Sequence, residues 1–371
     1  MTNELATLLA AFDDSLDLPR ACTIPSEWYT HPALAELERS AVFGSTWQAV
    51  GRTDQVRESG QYFTADVAGE PILVVRGDDG KLRAFSNVCR HRAARVASEA
   101  EGCATRFRCR YHGWTYDLQG RLRGLPEFEG VADFPREANG LPELAAAEWG
   151  PLVFVFLGKH PPDLMEFLQP LPARSAGLGI ETLRFVDRRV YDLACNWKVF
   201  VDNYLDGGYH VHTIHPSLAG VLDYAGYHTV NEGSTSVQIS PLRKPEAQHE
   251  DASAADVRQG DNAYYWWVFP NLMINLYSGV MDTNLVLPLG PERCRVVFDF
   301  YFAETADAAA EFNRKSMAVG HQIQLEDVDI CEDVQRGLHS RFFRTGRYSV
   351  RRESGVYHFH RLLAAHLRRG R

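Results

Sequence analysis

No stretch of eighteen consecutive apolar residues occurs in this 371-residue sequence, so no segment reads as a membrane-spanning helix. The first residues, Met1-Thr2-Asn3-Glu4-Leu5, lack the basic region and apolar run of a secretory leader. Cysteine is scarce: seven residues, an odd number without framework spacing. That argues against a disulfide scaffold and for reduced thiols in the cytoplasm. Positive charge is not in excess either. The formal net charge is −9 and spread along the chain, which disfavours nucleic acid as a partner and is compatible with a cationic substrate. Internal repeats and low-complexity tracts are missing as well. What is present, 45% of it hydrophobic, is enough chain to bury one large core and one smaller one.

Two of the few cysteines stand beside histidines. Cys89-Arg90-His91 is followed, twenty residues on, by Cys109-Arg110-Tyr111-His112. Two thiolates and two imidazoles at C-x-H and C-x-x-H spacing are the ligand set of a Rieske [2Fe–2S] cluster, in which histidines replace cysteines on one iron. Neutral imidazoles leave less negative charge on the cluster. This raises its potential, so that it accepts one electron and passes it on. Structural zinc uses the same residue types, but usually pairs Cys with Cys and His with His; here each loop supplies one of each. Gly113-Trp114-Thr115-Tyr116-Asp117 and Gly120 follow, and glycine there lets backbone amides approach the cluster sulfurs.

The sequence divides near residue 150. Residues 43–157 read as short strands between turns, as in Pro71–Arg76, the turn Gly77–Gly80 and Leu82–Phe85. This predicts a small antiparallel β domain whose loops hold the cluster. His160-Pro161-Pro162 suits a linker. Residues 158–371 mix long strands (Thr182–Leu193, Asp282–Leu289, Cys294–Phe302) with helices over Asp307–Gly337 and from His358 onward. The expected class is α+β, with an antiparallel sheet covered by helices. Residues 1–42, helical around Leu5–Phe12, are expected to pack on this second domain.

A second constellation lies between Asn196 and Pro216. Trp197, Phe200, Val201 and Tyr204 recur at helical spacing, which predicts a short helix to about Leu205. Gly207 and Gly208 weaken it, and Pro216 terminates the histidine-bearing segment beyond them. His210 and His215, five apart, would splay by about 140° on a straight helix. They converge on one metal only if the backbone is distorted, and the glycine pair supplies that freedom. Two His and one carboxylate on one face of Fe(II) leave positions open for O2. His212, two residues from His210, points away. The carboxylate can be sought by helical phase: Ile323, Ile330, Cys331 and Val334 form an apolar stripe, and Asp327 falls within it. A carboxylate on an apolar face is costly unless it is paired or bound to metal. Asp327 is therefore the expected third ligand, with a buried ion pair to an arginine as the competing role.

These residues resemble the oxygenase component of Rieske non-haem iron oxygenases over nearly the whole chain. The resemblance runs through Asn196–Phe200, Asp202–His210, Pro270–Asn275, Met281–Pro291 and Glu332–Gly337, and is nearest to members that oxidise choline. It implies a cluster that receives electrons from a separate reductase or ferredoxin, and a mononuclear Fe(II) that uses them with O2 to oxidise a C–H bond. It further implies a ring of subunits, usually a homotrimer, with His112 facing the neighbouring iron. An acidic residue usually bridges the two centres from just before the first iron histidine. Here that position is Gly207, so the role falls to Asp206, one residue earlier, or to another carboxylate. Asn203 is expected beside the iron.

Choline has no N–H to donate, so its recognition rests on cation–π or carboxylate contacts. The run Tyr264-Tyr265-Trp266-Trp267, with Tyr277 further on, offers rings. On a strand either Tyr264 and Trp266 or Tyr265 and Trp267 would face a cavity; core filling is the competing role. Attack at the alcohol carbon would give betaine aldehyde through its hydrate, and attack at an N-methyl would release formaldehyde. A related betaine, carnitine or an aromatic acid is the alternative substrate. A non-catalytic electron carrier is the distant alternative function.

Overall fold

Short strands joined by tight turns build one unit, Phe43–Leu164, of the computed structural model, which describes residues 3–243 and 254–370. Its strands are β1 Gln48–Arg52, β2 Gln61–Val67, β3 Glu70–Arg76, β4 Leu82–Ser86, β5 Glu101–Cys103, β6 Phe107–Arg108, β7 Thr115–Tyr116, β8 Leu122–Gly124, β9 Glu143–Trp149 and β10 Leu152–Phe156. Seven form an antiparallel sheet in the order β1-β10-β9-β4-β3-β2-β5, and β6-β7-β8 form a second, small one. Leu73, Phe85, Phe107, Trp114 and Tyr116 pack in one core with Cys89 and Cys109. The expected boundary at 157 moves to 164. Trp47 donates its indole N–H to the Pro162 carbonyl at 2.9 Å, which ties the proline-rich stretch to this unit.

The other unit joins Met1–Val42 to Met165–Arg371. In chain order it contains helices α1 Asn3–Ala10 and α2 Pro32–Ala41, strand β11 Arg184–Leu193, helices α3 Trp197–Tyr204 and α4 Val211–Ile214, strands β12 His228–Glu232 and β13 Thr235–Pro241, and helix α5 Ala254–Val257. Strands β14 Asn262–Val268, β15 Leu272–Tyr277, β16 Val280–Gly290 and β17 Arg293–Phe302 come next, then helices α6 Ala310–Leu338 and α7 Ser354–Arg369. The seven strands form an antiparallel sheet ordered β11-β17-β16-β15-β14-β13-β12. The edge strand β11 alternates exposed and half-buried residues along its length, as expected of a strand with one covered face. The protein is therefore α+β, with a small antiparallel unit and a larger helix-covered sheet. Among the described residues no helix is long and apolar enough to cross a membrane.

Helix α3 starts where Asn196 accepts the Lys198 amide through its side chain, a strong N-cap. Its Lys198 is fully buried. The ammonium lies 2.6 Å from Glu38 on α2, whose other oxygen accepts the Trp197 indole N–H at 2.8 Å. Helix α6 corrects the sequence reading of its phase. Val334 is exposed, and the buried face runs through Asn313, Ser316, Gly320, Gln324, Cys331, Gln335 and Leu338. That face is mostly polar or small, so apolar periodicity draws the stripe off centre. Asp327 still falls on it, between Gln324 and Cys331.

Candidate functional site

The cluster loops repeat one backbone pattern. Cys89 donates its amide to Ala94 O and accepts from Ala93 N; Cys109 donates to Trp114 O and accepts from Gly113 N. Ala93 and Gly113, each four residues after its cysteine, both have positive φ, 58° and 75°. Each loop therefore turns back on itself and presents its two ligand side chains together. Both cysteines are buried, and the Nδ1 atoms of His91 and His112 face each other at 3.1 Å. Two imidazole nitrogens bound to one metal at about 2.1 Å each lie about 3 Å apart, so the set fits a shared metal edge. His91 stacks on Trp114, with centroids 4.8 Å apart and planes inclined by 7°, while His112 is exposed. Tyr116 donates its hydroxyl to Cys89 Sγ at 3.5 Å and accepts the Arg90 amide at 3.1 Å. Burial, chiefly, holds its phenol well above its ordinary pKa, so the donor proton stays in place.

The second centre is assembled by a broken backbone. Gly207 and Gly208 both have positive φ, 70° and 71°, and a Cβ on Gly207 would run into the Arg352 carbonyl. The chain re-enters helix at α4, with His210 at its N-terminal cap and His215 at its C-terminal cap. Their Nε2 atoms come within 3.1 Å of each other. Asp327 Oδ1 lies 3.1 Å from His215 Nε2 and 3.8 Å from His210 Nε2. The three ligand atoms lie within 4.8 Å of one another, close enough to hold one metal ion. Two imidazoles and one carboxylate on a common face match the donor set of a non-haem Fe(II) site with open positions.

Each imidazole is held at its far nitrogen. His210 Nδ1 lies 2.6 Å from Asp206 Oδ2, and the same carboxylate accepts the Tyr209 and His210 amides. His215 Nδ1 lies 2.7 Å from Glu326 Oε2. Burial disfavours charge on His215, but Asp327 and Glu326 outweigh it and raise its pKa above 6.5. Asn203 Nδ2 donates to Asp327 Oδ1 at 2.7 Å, fixing that carboxylate from α3. His212 turns away and meets the Tyr224 ring edge-on at 4.5 Å. Glu326 escapes the sequence reading because it lies outside the apolar stripe; its signal is its place beside Asp327.

A cavity of about 700 Å³, counting its open mouth, adjoins the three ligands. Of the sequence-selected rings, Tyr265 and Tyr277 line it, joined by a hydroxyl–hydroxyl bond of 3.0 Å. Tyr264, Trp266 and Trp267 are not on its wall. Trp267 instead donates to the Pro270 carbonyl and meets the Phe269 and Phe359 rings edge-on, so it fills core. Neither alternation expected on the strand holds as a pair, because Tyr265 and Trp267 meet different neighbours along β14. Tyr204 and Tyr227, from α3 and the segment before β12, complete the aromatic wall. The helical spacing that marks Tyr204 in the sequence says nothing of a cavity, and Tyr227 carries no periodic signal.

Comparison with known proteins agrees with this arrangement. Residues 46–135 match the Rieske [2Fe-2S] domain family, and residues 180–369 match the catalytic domain of the ring hydroxylating alpha subunit. A chloroplastic choline monooxygenase of Arabidopsis thaliana is 40% identical over 377 residues, spanning 99% of this chain and 88% of the relative. The carnitine monooxygenase oxygenase subunit of Acinetobacter pittii (strain PHEA-2) is 30% identical, over 93% of this chain and 95% of its own. A solved quaternary ammonium Rieske monooxygenase, described in connection with carnitine oxidation by gut microbiota, superposes with a TM-score of 0.85. Its identity is 27%, covering 95% and 98% of the two chains. The chain belongs to the Rieske non-haem iron oxygenases, as an alpha (oxygenase) subunit. Within that family it lies near the choline monooxygenases. Membership brings a Rieske [2Fe–2S] cluster and a mononuclear iron with O2 as oxidant, and electrons that come from a separate reductase or ferredoxin.

Proposed function

We propose that this monooxygenase oxidises a quaternary ammonium compound, with choline going to betaine aldehyde through its hydrate as the leading reaction. The observation that carries this is the opening of one tyrosine-lined cavity onto His210, His215 and Asp327. A quaternary nitrogen offers no hydrogen-bond donor, so ring faces are the groups that suit it. Names among the relatives, choline and carnitine monooxygenases, support the same substrate class. Oxidation or demethylation of a related betaine or carnitine is the second reading.

Cys89, His91, Cys109 and His112 would hold the cluster, and His210, His215 and Asp327 the iron. When bound, the two centres supply single electrons and O2 activation for insertion of oxygen into a C–H bond. The chain's own part is positional. Asp206 and Glu326 fix the two imidazoles, Asn203 holds the Asp327 carboxylate, and the tyrosines set the substrate against the open coordination face. We further propose a homotrimer in which the exposed His112 meets the Asp206 and His210 region of the next subunit. The five cysteines outside the cluster set, Cys22, Cys103, Cys195, Cys294 and Cys331, are all unbridged, which supports the cytoplasm as its location; the plant relatives are named chloroplastic.

The test is iron and acid-labile sulfide per chain on anaerobically purified protein, then O2 uptake with a surrogate reductase and choline, glycine betaine or carnitine. About three irons and two sulfides, with choline-dependent uptake and betaine aldehyde formed, is the expected result. Formaldehyde instead of aldehyde moves the reaction to an N-methyl. No uptake with any quaternary amine overturns the proposal.

A further inference from the structure

Three of the five cysteines outside the cluster set converge. Cys195 lies between β11 and α3, Cys294 on β17 and Cys331 on α6, and they are 0%, 0% and 1% exposed. The sulfurs of Cys195 and Cys294 are 3.8 Å apart, and the Cys331 thiol also bonds to Cys195. A buried cysteine by itself packs as a small apolar residue. Here two S–H donors, Cys294 first and Cys331 second, favour the charged form of Cys195. They outweigh burial and the Glu332 charge and hold its pKa below the ordinary value. The thiolate is the form that acts as a nucleophile.

The position matters as much as the chemistry. Asp327 is held by its own helix, α6, and by Asn203 on α3, and Cys195 stands where these two supports are joined. One residue before it, the Ala194 amide donates to Glu332 Oε1 at 2.9 Å; one residue after it, the Asn196 amide donates to Gln335 Oε1 at 2.9 Å. Glu332 and Gln335 both belong to α6, and Asn196 also caps α3 through its side chain. Gln335 is 4% exposed and its Nε2 has no partner among the described residues, so its hold on this segment rests on its oxygen alone. Cys331 follows Asp327 on α6 by one turn, about 6 Å along the axis at 1.5 Å per residue.

We propose that Cys195 and Cys294 are a pair oxidised by hydrogen peroxide, and that the disulfide they form weakens the hold of Asp327 on the iron. Peroxide is the two-electron product of O2. The Cys195 thiolate attacks one peroxide oxygen; the O–O bond breaks, hydroxide leaves and a sulfenic acid forms. The Cys294 sulfur then attacks the Cys195 sulfur. An S–S bond replaces the S–O bond, and the hydroxyl leaves as water with the Cys294 proton. Two thiols thus lose two electrons and two protons, and peroxide becomes two waters. The sulfurs close from 3.8 Å to about 2.05 Å. That movement draws the 194–196 segment toward β17 and strains its bonds to Glu332 and Gln335. Because the pair is buried, reaction waits on local opening and is slower than at the exposed Cys22 and Cys103. The inference rests on Asp327 as an iron ligand.

The test is hydrogen peroxide on the cluster- and iron-loaded full chain, quenched with catalase, then alkylation and digestion without reductant. A Cys195–Cys294 linked peptide that a thiol reductant cleaves is expected, with Cys331 alkylated. On dialysis against buffered Fe(II), the oxidised chain should bind its mononuclear iron about tenfold more weakly than Cys294→Ala treated in the same way. That variant controls for peroxide damage to the two metal centres, and before oxidation it should hold iron as the unaltered chain does. Thiol reduction of the oxidised chain should restore iron binding. Absence of the linked peptide, a Cys195–Cys331 link in its place, or a link with iron held as tightly as in the control overturns the inference. About two irons per chain in place of about three before oxidation overturns the ligand reading instead, and the peptide mapping still decides on the pair. The mapping and the recovery on reduction need no variant, so they decide even if Cys294→Ala does not fold.

Discussion

The Nδ1 atom of His215 lies 2.7 Å from Glu326 Oε2, and Glu326 is the chain neighbour of the third ligand, Asp327. One turn of α6 thus supplies both a metal oxygen and the group that orients a metal nitrogen. Gln322, a turn earlier, donates to the other Glu326 oxygen at 3.0 Å, so the orienting carboxylate is itself held. Removing such a partner typically weakens metal affinity by about 10–100-fold. Glu326→Ala should lose iron over that range on dialysis against buffered Fe(II), with the cluster's EPR signal unchanged, and Glu326→Gln should lose less. Equal iron retention in all three proteins would show that Glu326 does not position His215.

Asp206→Asn keeps one oxygen, enough for one of the Tyr209 and His210 amides that now bond to separate carboxylate oxygens, and removes the negative charge beside His210 Nδ1. Both centres should remain loaded while reoxidation of the reduced cluster in a single turnover slows by about tenfold or more. Stopped-flow absorbance of the cluster reads this directly. An unaltered rate would remove Asp206 from the electron path.

Gly207→Ala tests the backbone itself. A left-handed residue with a Cβ costs about 1–2 kcal/mol, and this one also meets the Arg352 carbonyl. His210 should shift off the common metal face. Expected are about two irons per chain in place of about three, with the sulfide content unchanged; full iron loading would contradict this.

Lys198→Met leaves Glu38 buried without its cation. Breaking a buried pair from one side costs about 3–5 kcal/mol, so the urea midpoint of the larger unit should fall sharply. Replacing Glu38 with Leu in the same chain should restore much of the loss. If the double replacement is no better than Lys198→Met alone, the cost comes from packing.

Tyr116→Phe removes the hydroxyl that donates to Cys89 Sγ. That bond offsets negative charge on the sulfur and favours the reduced cluster. A differential of about 1.4 kcal/mol is about 60 mV for one electron, so the midpoint potential should fall by tens of millivolts. Spectroelectrochemical titration that found no change, or a rise, would exclude this role.

Some of this arrangement is legible in sequence and some is not, for physical reasons. Cys89, His91, Cys109 and His112 announce themselves because local spacing nearly dictates the loop. The convergence of His210 and His215 comes from paired glycines and a terminating proline, again local features. Asp327 requires helical phase, and its face of α6 is lined by Ser316, Gly320 and Gln324 rather than aliphatic residues, so the apolar stripe misplaces its centre. One continuous aromatic run suggests a single wall, whereas four tyrosines reach the cavity from α3, the segment before β12, β14 and β15.

The Lys198–Glu38 pair also bears on how the chain is made. Its members are 160 residues apart, and the whole Phe43–Leu164 unit is translated between them. At about 5–20 residues per second, Glu38 is added to the chain about 10–30 s before its cation. The cluster unit, continuous in sequence, has that interval to fold. The first helices of the catalytic unit must spend it without their core, which leaves residues 3–42 open to chaperone capture during synthesis.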